Sequence, residues 1–84
     1  MGQKDLPLAS GDRCARAFER CGWTRARETS GTNPHIILVK PGVRATLSIP
    51  NHKGQNVKRA LLQKQIKLAG LTERQYLDCF RKPS

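Results

Sequence analysis

The chain has two histidines, His35 and His52, and cations crowd the second: Lys53 follows it directly, with Lys58 and Arg59 shortly after. Imidazole changes charge near neutrality, so it can take a proton from a hydroxyl or return one to a leaving oxygen. Cations and unpaired backbone N–H groups beside it would hold a phosphate. Together these are the parts needed to cleave an RNA phosphodiester through its own 2′-OH. The same spacing also fits a plainer use, in which His35 caps a strand and His52 is a turn residue.

The charge pattern points to a polyanion. Sixteen Lys and Arg against six Asp and Glu give a net charge of +10 in 84 residues. Between Thr29 and Thr72 there is no acid at all, yet Lys40, Arg44, Lys53, Lys58, Arg59, Lys64 and Lys67 all fall there. A merely solvated surface mixes both signs, because a one-sign field repels itself. A phosphate backbone is therefore the favoured partner, ahead of an anionic membrane or an acidic protein. The acids lie outside that stretch, which leaves no carboxylate pair for two-metal chemistry. No metal and no cofactor are expected.

Cys14, Cys21 and Cys79 are odd in number and show no C-x-x-C spacing, so they are expected as reduced core residues rather than a disulfide framework or a zinc site. No stretch approaches the roughly 20 apolar residues of a membrane span, and Met1-Gly2-Gln3-Lys4-Asp5 lacks the apolar run of a secretory signal. The expected location is cytoplasmic, with no membrane partner.

Residues 1–84 read as a single domain, with 1–9 as a loose lead-in tacked down by Leu6 and Leu8 and 81–84 as a tail. Ser10 is a helix N-cap, and Cys14, Ala17, Phe18 and Cys21 recur at the spacing of one apolar helical stripe that Gly22 stops. Trp23 to Thr29 suits a short edge strand with alternating Arg25 and Arg27, and Ser30-Gly31-Thr32-Asn33-Pro34 is turn chemistry. His35 to Lys40 is the clearest strand; Pro41-Gly42 turns the chain, and Arg44 to Ile49 alternates as the third strand up to Pro50. Val57, Leu61, Leu62, Ile66, Leu68 and Ala69 predict a second helix, closed by Gly70. Thr72 starts a short third helix with Tyr76, Leu77 and Phe80 docking it, while Phe18 and Trp23 are expected in or at the edge of the core. The order is α-β-β-β-α-α, an α+β fold whose helices must cover one face of a three-stranded antiparallel sheet.

The hairpin across Pro41-Gly42 then positions the histidines. With a two- or three-residue loop, the residue opposite His35 is expected near Ser48 or Ile49. His52 lies three or four residues beyond, so both histidines come to one end of the hairpin, with Lys53 and the start of the second helix following.

At this point the residues resemble a family. Asn33-Pro34-His35-Ile36-Ile37-Leu38-Val39-Lys40-Pro41-Gly42, then Ala45-Thr46-Leu47-Ser48-Ile49-Pro50-Asn51-His52-Lys53, then Leu61-Leu62 and Ile66-Lys67-Leu68-Ala69-Gly70-Leu71-Thr72 are similar to the HicA (YcfA-like) proteins. The likeness runs over roughly residues 8–80, including Leu8-Ala9-Ser10-Gly11. It implies a fold like the double-stranded-RNA-binding domain (dsRBD-like) and an endoribonuclease acting on mRNA, the toxin of a toxin–antitoxin pair neutralised by a HicB-type protein. The position matching the family's catalytic histidine is His35. His52 is an auxiliary candidate from the hairpin geometry, and Lys40, Lys53, Lys58, Arg59 and Lys64 are candidate RNA contacts. The turn before His35 is longer than the family's usual form and carries Pro34, and Ala60 stands where many relatives have Gly. The alternative is a non-catalytic module that grips A-form RNA by shape.

Overall fold

In a computed structural model, which describes residues 6–82, Ser10 opens the first helix as its cap. Its hydroxyl accepts the Arg13 N–H at 3.3 Å, and Asp12 lies in the first turn, where the helix dipole favours an acid. The helix, α1, runs Gly11–Arg20 and buries Cys14, Ala15, Ala17 and Phe18. Cys21 caps it and Gly22, at φ 104°, turns the chain away.

Three strands follow: β1 (Thr24–Glu28), β2 (His35–Lys40) and β3 (Val43–Pro50), antiparallel in the order β1-β2-β3. Ile36 and Leu38 on β2 and Leu47 and Ile49 on β3 are fully buried, and α1 packs across all three strands. Ile37 and Ser48 between them are half-buried, and Val39 and Thr46 beyond them are exposed, so one face of the sheet meets the core and the other stays open. The second helix, α2 (Arg59–Leu68), lies against β3. The third, α3 (Glu73–Arg81), packs on α1 and starts with a reciprocal Thr72–Gln75 capping box. This α-β-β-β-α-α order with a three-stranded antiparallel sheet is the expected dsRBD-like α+β fold.

Aromatic packing fixes the junction of α1 and α3. The Tyr76 ring sits 5.0 Å from Phe18 and 6.0 Å from Phe80, and the Arg13 guanidinium lies 5.2 Å over Phe80. Arg20 donates to the carbonyls of Cys79 and Phe80 at 3.3 and 3.2 Å. Trp23, Phe18 and Tyr76 are core residues, as their spacing suggested.

Several expectations need correction. Cys21 and Cys79 form a disulfide, with Cα atoms 5.9 Å apart, and only Cys14 is a free, buried thiol. Docking of α3 on the end of α1 creates this pair from residues 58 apart, which local spacing does not reveal. In the lead-in, Leu6 is buried but Leu8 is 42% exposed, so of the two leucines only Leu6 packs into the core. Met1–Asp5 and, in the tail, Pro83–Ser84 lie outside the described residues. Leu68, assigned to the apolar face of the second helix, is 44% exposed, while Gln65 takes a buried place there. Gln65 Oε1 accepts the Ser48 N–H at 3.1 Å, tying α2 to the free edge of β3.

The strands also depart from strict alternation. The ladder slips between Arg25 and Arg27, so the two arginines do not alternate to solvent. Arg25 instead binds Asp12 and Glu19 on α1 and Glu28 on its own strand, at 2.9, 3.2 and 3.3 Å.

Candidate functional site

Pro41 cannot take the positive φ that the tightest hairpin turns require at their first central position, whereas Gly42 adopts φ 80° at the second. The turn's twist therefore does not match that of its strands, and the ladder shifts between Leu38 and Lys40. Beyond the shift the pairs are Leu38 with Leu47, Ile37 with Ser48, Ile36 with Ile49 and His35 with Pro50. The residue opposite His35 is thus Pro50, not Ser48 or Ile49. His52 is only two residues past that pair.

One further bond closes this end of the hairpin. Asn51 donates its N–H to the Pro34 carbonyl at 2.9 Å, so the residue before His52 is held against the residue before His35. Both imidazoles are half-buried. The His52 carbonyl accepts the Gln55 N–H at 3.1 Å, which bends the chain back after Lys53 and Gly54. Val57 then donates to the Ala9 carbonyl at 2.8 Å and Ser10 bridges Asn56, bringing the starts of α1 and α2 side by side.

The start of α2 carries no acid. Lys58 is its N-cap, no side chain bonds to the cap position, and no acidic residue occupies the first turn. Arg59 reaches back to the Leu6 carbonyl at 3.3 Å, so part of its donor capacity is spent within the protein. Lys53 and Lys58 are exposed. Lys64, one turn further along α2, borders a groove between α2 and α3 with Lys67, Leu71 and Glu73. Lys40 is placed apart, at the other end of β2, with its stem near Gly22. That is roughly 17 Å from His35 along an extended strand.

The acids gather elsewhere. Among the described residues the ion pairs join Asp12, Glu19 and Glu28 to Arg25, and Asp12 to Arg16 at 3.1 Å. Glu73 accepts from Gln63 at 3.2 Å. The ion pairs commit three of the acids to Arg16 and Arg25, and no acid lies in the hairpin end or the first turn of α2. No group of three or more His, Cys, Asp or Glu suited to a metal ion occurs among the described residues.

Two residues that sequence reasoning treated as turn or boundary positions contact His35 directly. Its backbone N–H donates to Thr29 Oγ1 at 2.9 Å, and its ring Nδ1 lies 2.8 Å from the Asn33 carbonyl oxygen. A hydroxyl at a strand end and an Asn two residues before a histidine were the only signals.

The family model for the HicA toxins of bacterial toxin–antitoxin systems matches residues 11–71. The chain belongs to the HicA toxin family. This HicA chain carries inside the matched span the whole hairpin, both histidines and all of α2. No curated protein and no solved structure matches it. Of its described helices, none is long and apolar enough to cross a membrane.

Proposed function

We propose that this HicA protein is an endoribonuclease acting on mRNA, with His35 as its single catalytic histidine and no metal, held in check by a HicB-type antitoxin. The observation that supports the reading is the Asn51–Pro34 hydrogen bond, which holds the chain just before His52 against the chain just before His35, with Lys53 next and the uncapped, acid-free start of α2 a few residues on. His35 takes the proton of an RNA 2′-OH, the 2′-oxygen bonds to phosphorus, and the bond to the 5′-oxygen breaks. The departing oxygen takes up a proton from solvent, and His52 stands beside the site as an auxiliary residue. Lys53, Lys58, Arg59 and the first N–H groups of α2 hold the phosphate, while Lys64 and Lys40 meet the backbone further along.

The test is cleavage of a defined RNA by the parent and by His35→Ala. Loss of about 100-fold or more in rate is expected for the variant, the usual range for removing a general base. Parental cleavage by His35→Ala sinks the assignment. An RNA with a single 2′-deoxy sugar at the cut site should resist the parent.

A second reading is a dsRBD-like module that binds A-form RNA without cutting it. The basic surface left by acids that cluster on Arg25 would serve that role equally well. It predicts salt-sensitive RNA binding and no strand scission by the parent at any pH.

A further inference from the structure

In a regular antiparallel ladder His35 and Thr29 would exchange two backbone hydrogen bonds. One of them is present: Thr29 donates its N–H to the His35 carbonyl at 2.9 Å. The other is replaced, because the His35 N–H donates to the Thr29 side-chain oxygen at 2.9 Å. The hydroxyl takes the place of the ladder carbonyl at the position where the chain leaves β1 for the exposed turn at 30–33. That turn returns through Asn33, whose carbonyl oxygen lies 2.8 Å from His35 Nδ1.

A carbonyl oxygen has no proton to give, so the hydrogen in this bond resides on Nδ1. A neutral imidazole carries one N–H, which leaves the lone pair on Nε2. When Nε2 accepts a proton, the ring becomes a cation and its Nδ1–H bond to Asn33 strengthens. A backbone carbonyl thus does for this histidine what a carboxylate partner does in other sites.

We propose that Asn33 and Thr29 form the positioning device of His35. The Asn33 carbonyl selects the Nδ1–H tautomer and makes Nε2 the atom that exchanges protons with substrate. Thr29, through its hydroxyl, keeps the strand start and the turn in the register that this bond needs. The role in turnover rests on the ribonuclease reading above; the tautomer does not. Thr29 touches no reacting atom and is a positioning residue.

The experiment reads the tautomer and turnover separately. In RNA-free, nitrogen-15-labelled protein, at a pH where the ring is neutral, long-range proton–nitrogen correlation of His35 should show a protonated Nδ1 and a bare Nε2. Thr29→Val keeps the shape but removes the acceptor. It should shift the ring towards the Nε2–H form and lower kcat for RNA cleavage at least about tenfold with KM within about twofold. Thr29→Ser should restore both. A parent ring found in the Nε2–H form overturns the proposal, and so does a Thr29→Val protein with parental spectrum and kcat. Should Thr29→Val not fold, the parental spectrum and Thr29→Ser still decide. A parent that cleaves no RNA ends the ribonuclease reading instead, while the two spectra continue to judge the positioning device.

Discussion

Gly11 lies against the Pro50 carbonyl so closely that a Cβ at residue 11 would collide with that oxygen and come within 2.8 Å of Asn51 Cα. The first turn of α1 therefore rests directly on the exit of β3, opposite His35. Both atoms in the way belong to backbone, which gives less readily than a side chain. We expect Gly11→Ala to cost about 1–3 kcal/mol of stability, the usual range for overpacking. It should also move the Pro50–Asn51 segment that positions His35 and His52. Urea unfolding checks the first effect, and RNA cleavage in conditions where the variant is folded checks the second.

The Cys21–Cys79 bond closes a long loop and pins α3 to the end of α1. Chain-entropy arguments give such a loop up to about 4 kcal/mol. For a domain of this size that corresponds to a fall in Tm of up to roughly 15–30 °C on its removal. Thermal unfolding of the parent with and without reductant, and of a Cys21→Ser, Cys79→Ser double variant, should agree. Equal melting in all three would show that the aromatic contacts among Phe18, Tyr76 and Phe80 hold α3 unaided.

Stability should decline in the alkaline range for an identifiable reason. Burial pushes the Cys14 thiol above its ordinary value, and burial, followed by the neighbouring Cys14, pushes the Tyr76 hydroxyl up as well. The Cys14 thiol points at the Ala9 carbonyl at 3.6 Å, and the Tyr76 hydroxyl has no hydrogen-bond partner of good geometry. Both groups are neutral when protonated and titrate later in the folded chain than in the unfolded one. Their contribution is whole below the unfolded values, about 8.5 for a thiol and 10 for a phenol, and is lost as pH rises through the folded ones. Urea midpoints should fall above about pH 9, and Cys14→Ala should remove the earlier part of that fall.

Salt dependence should separate the cations proposed to hold RNA from those bound within the protein. Lys53→Gln and Lys58→Gln should each reduce the slope of log affinity against log salt by about one. Arg25→Gln should leave the slope alone, because its guanidinium is already shared among Asp12, Glu19 and Glu28. Its cost should appear as about 1 kcal/mol of stability, since the three carboxylates are themselves partly exposed. A titration at four or five salt concentrations distinguishes the two classes.

Much of this molecule could be read from one dimension. Ser10, Gly22, Thr72 and Pro41-Gly42 mark boundaries through local backbone chemistry, and the apolar periods of 14–21 and 35–40 state which faces are buried. These signals act over a few residues, so they survive without tertiary knowledge. The place of His35 at the start of a strand was legible for the same reason.

What lay beyond reach were the relationships between distant residues. The residue facing His35 depended on a slip in the ladder near the turn, which moved it to Pro50. The partner of Cys21 depended on where α3 came to rest, and the pairing of Asp12, Glu19 and Glu28 on how α1 and β1 converge at Arg25. Gln65 looked like a polar interruption of an apolar face until the open edge of β3 supplied its donor. By itself, then, the sequence determined the elements, their order and the cationic stretch, because propensity, capping and charge are properties of neighbouring residues. Only the tertiary structure decided register, disulfide pairing and the hydrogen bonds that orient His35, because each is a contact between chain segments that packing alone brings together.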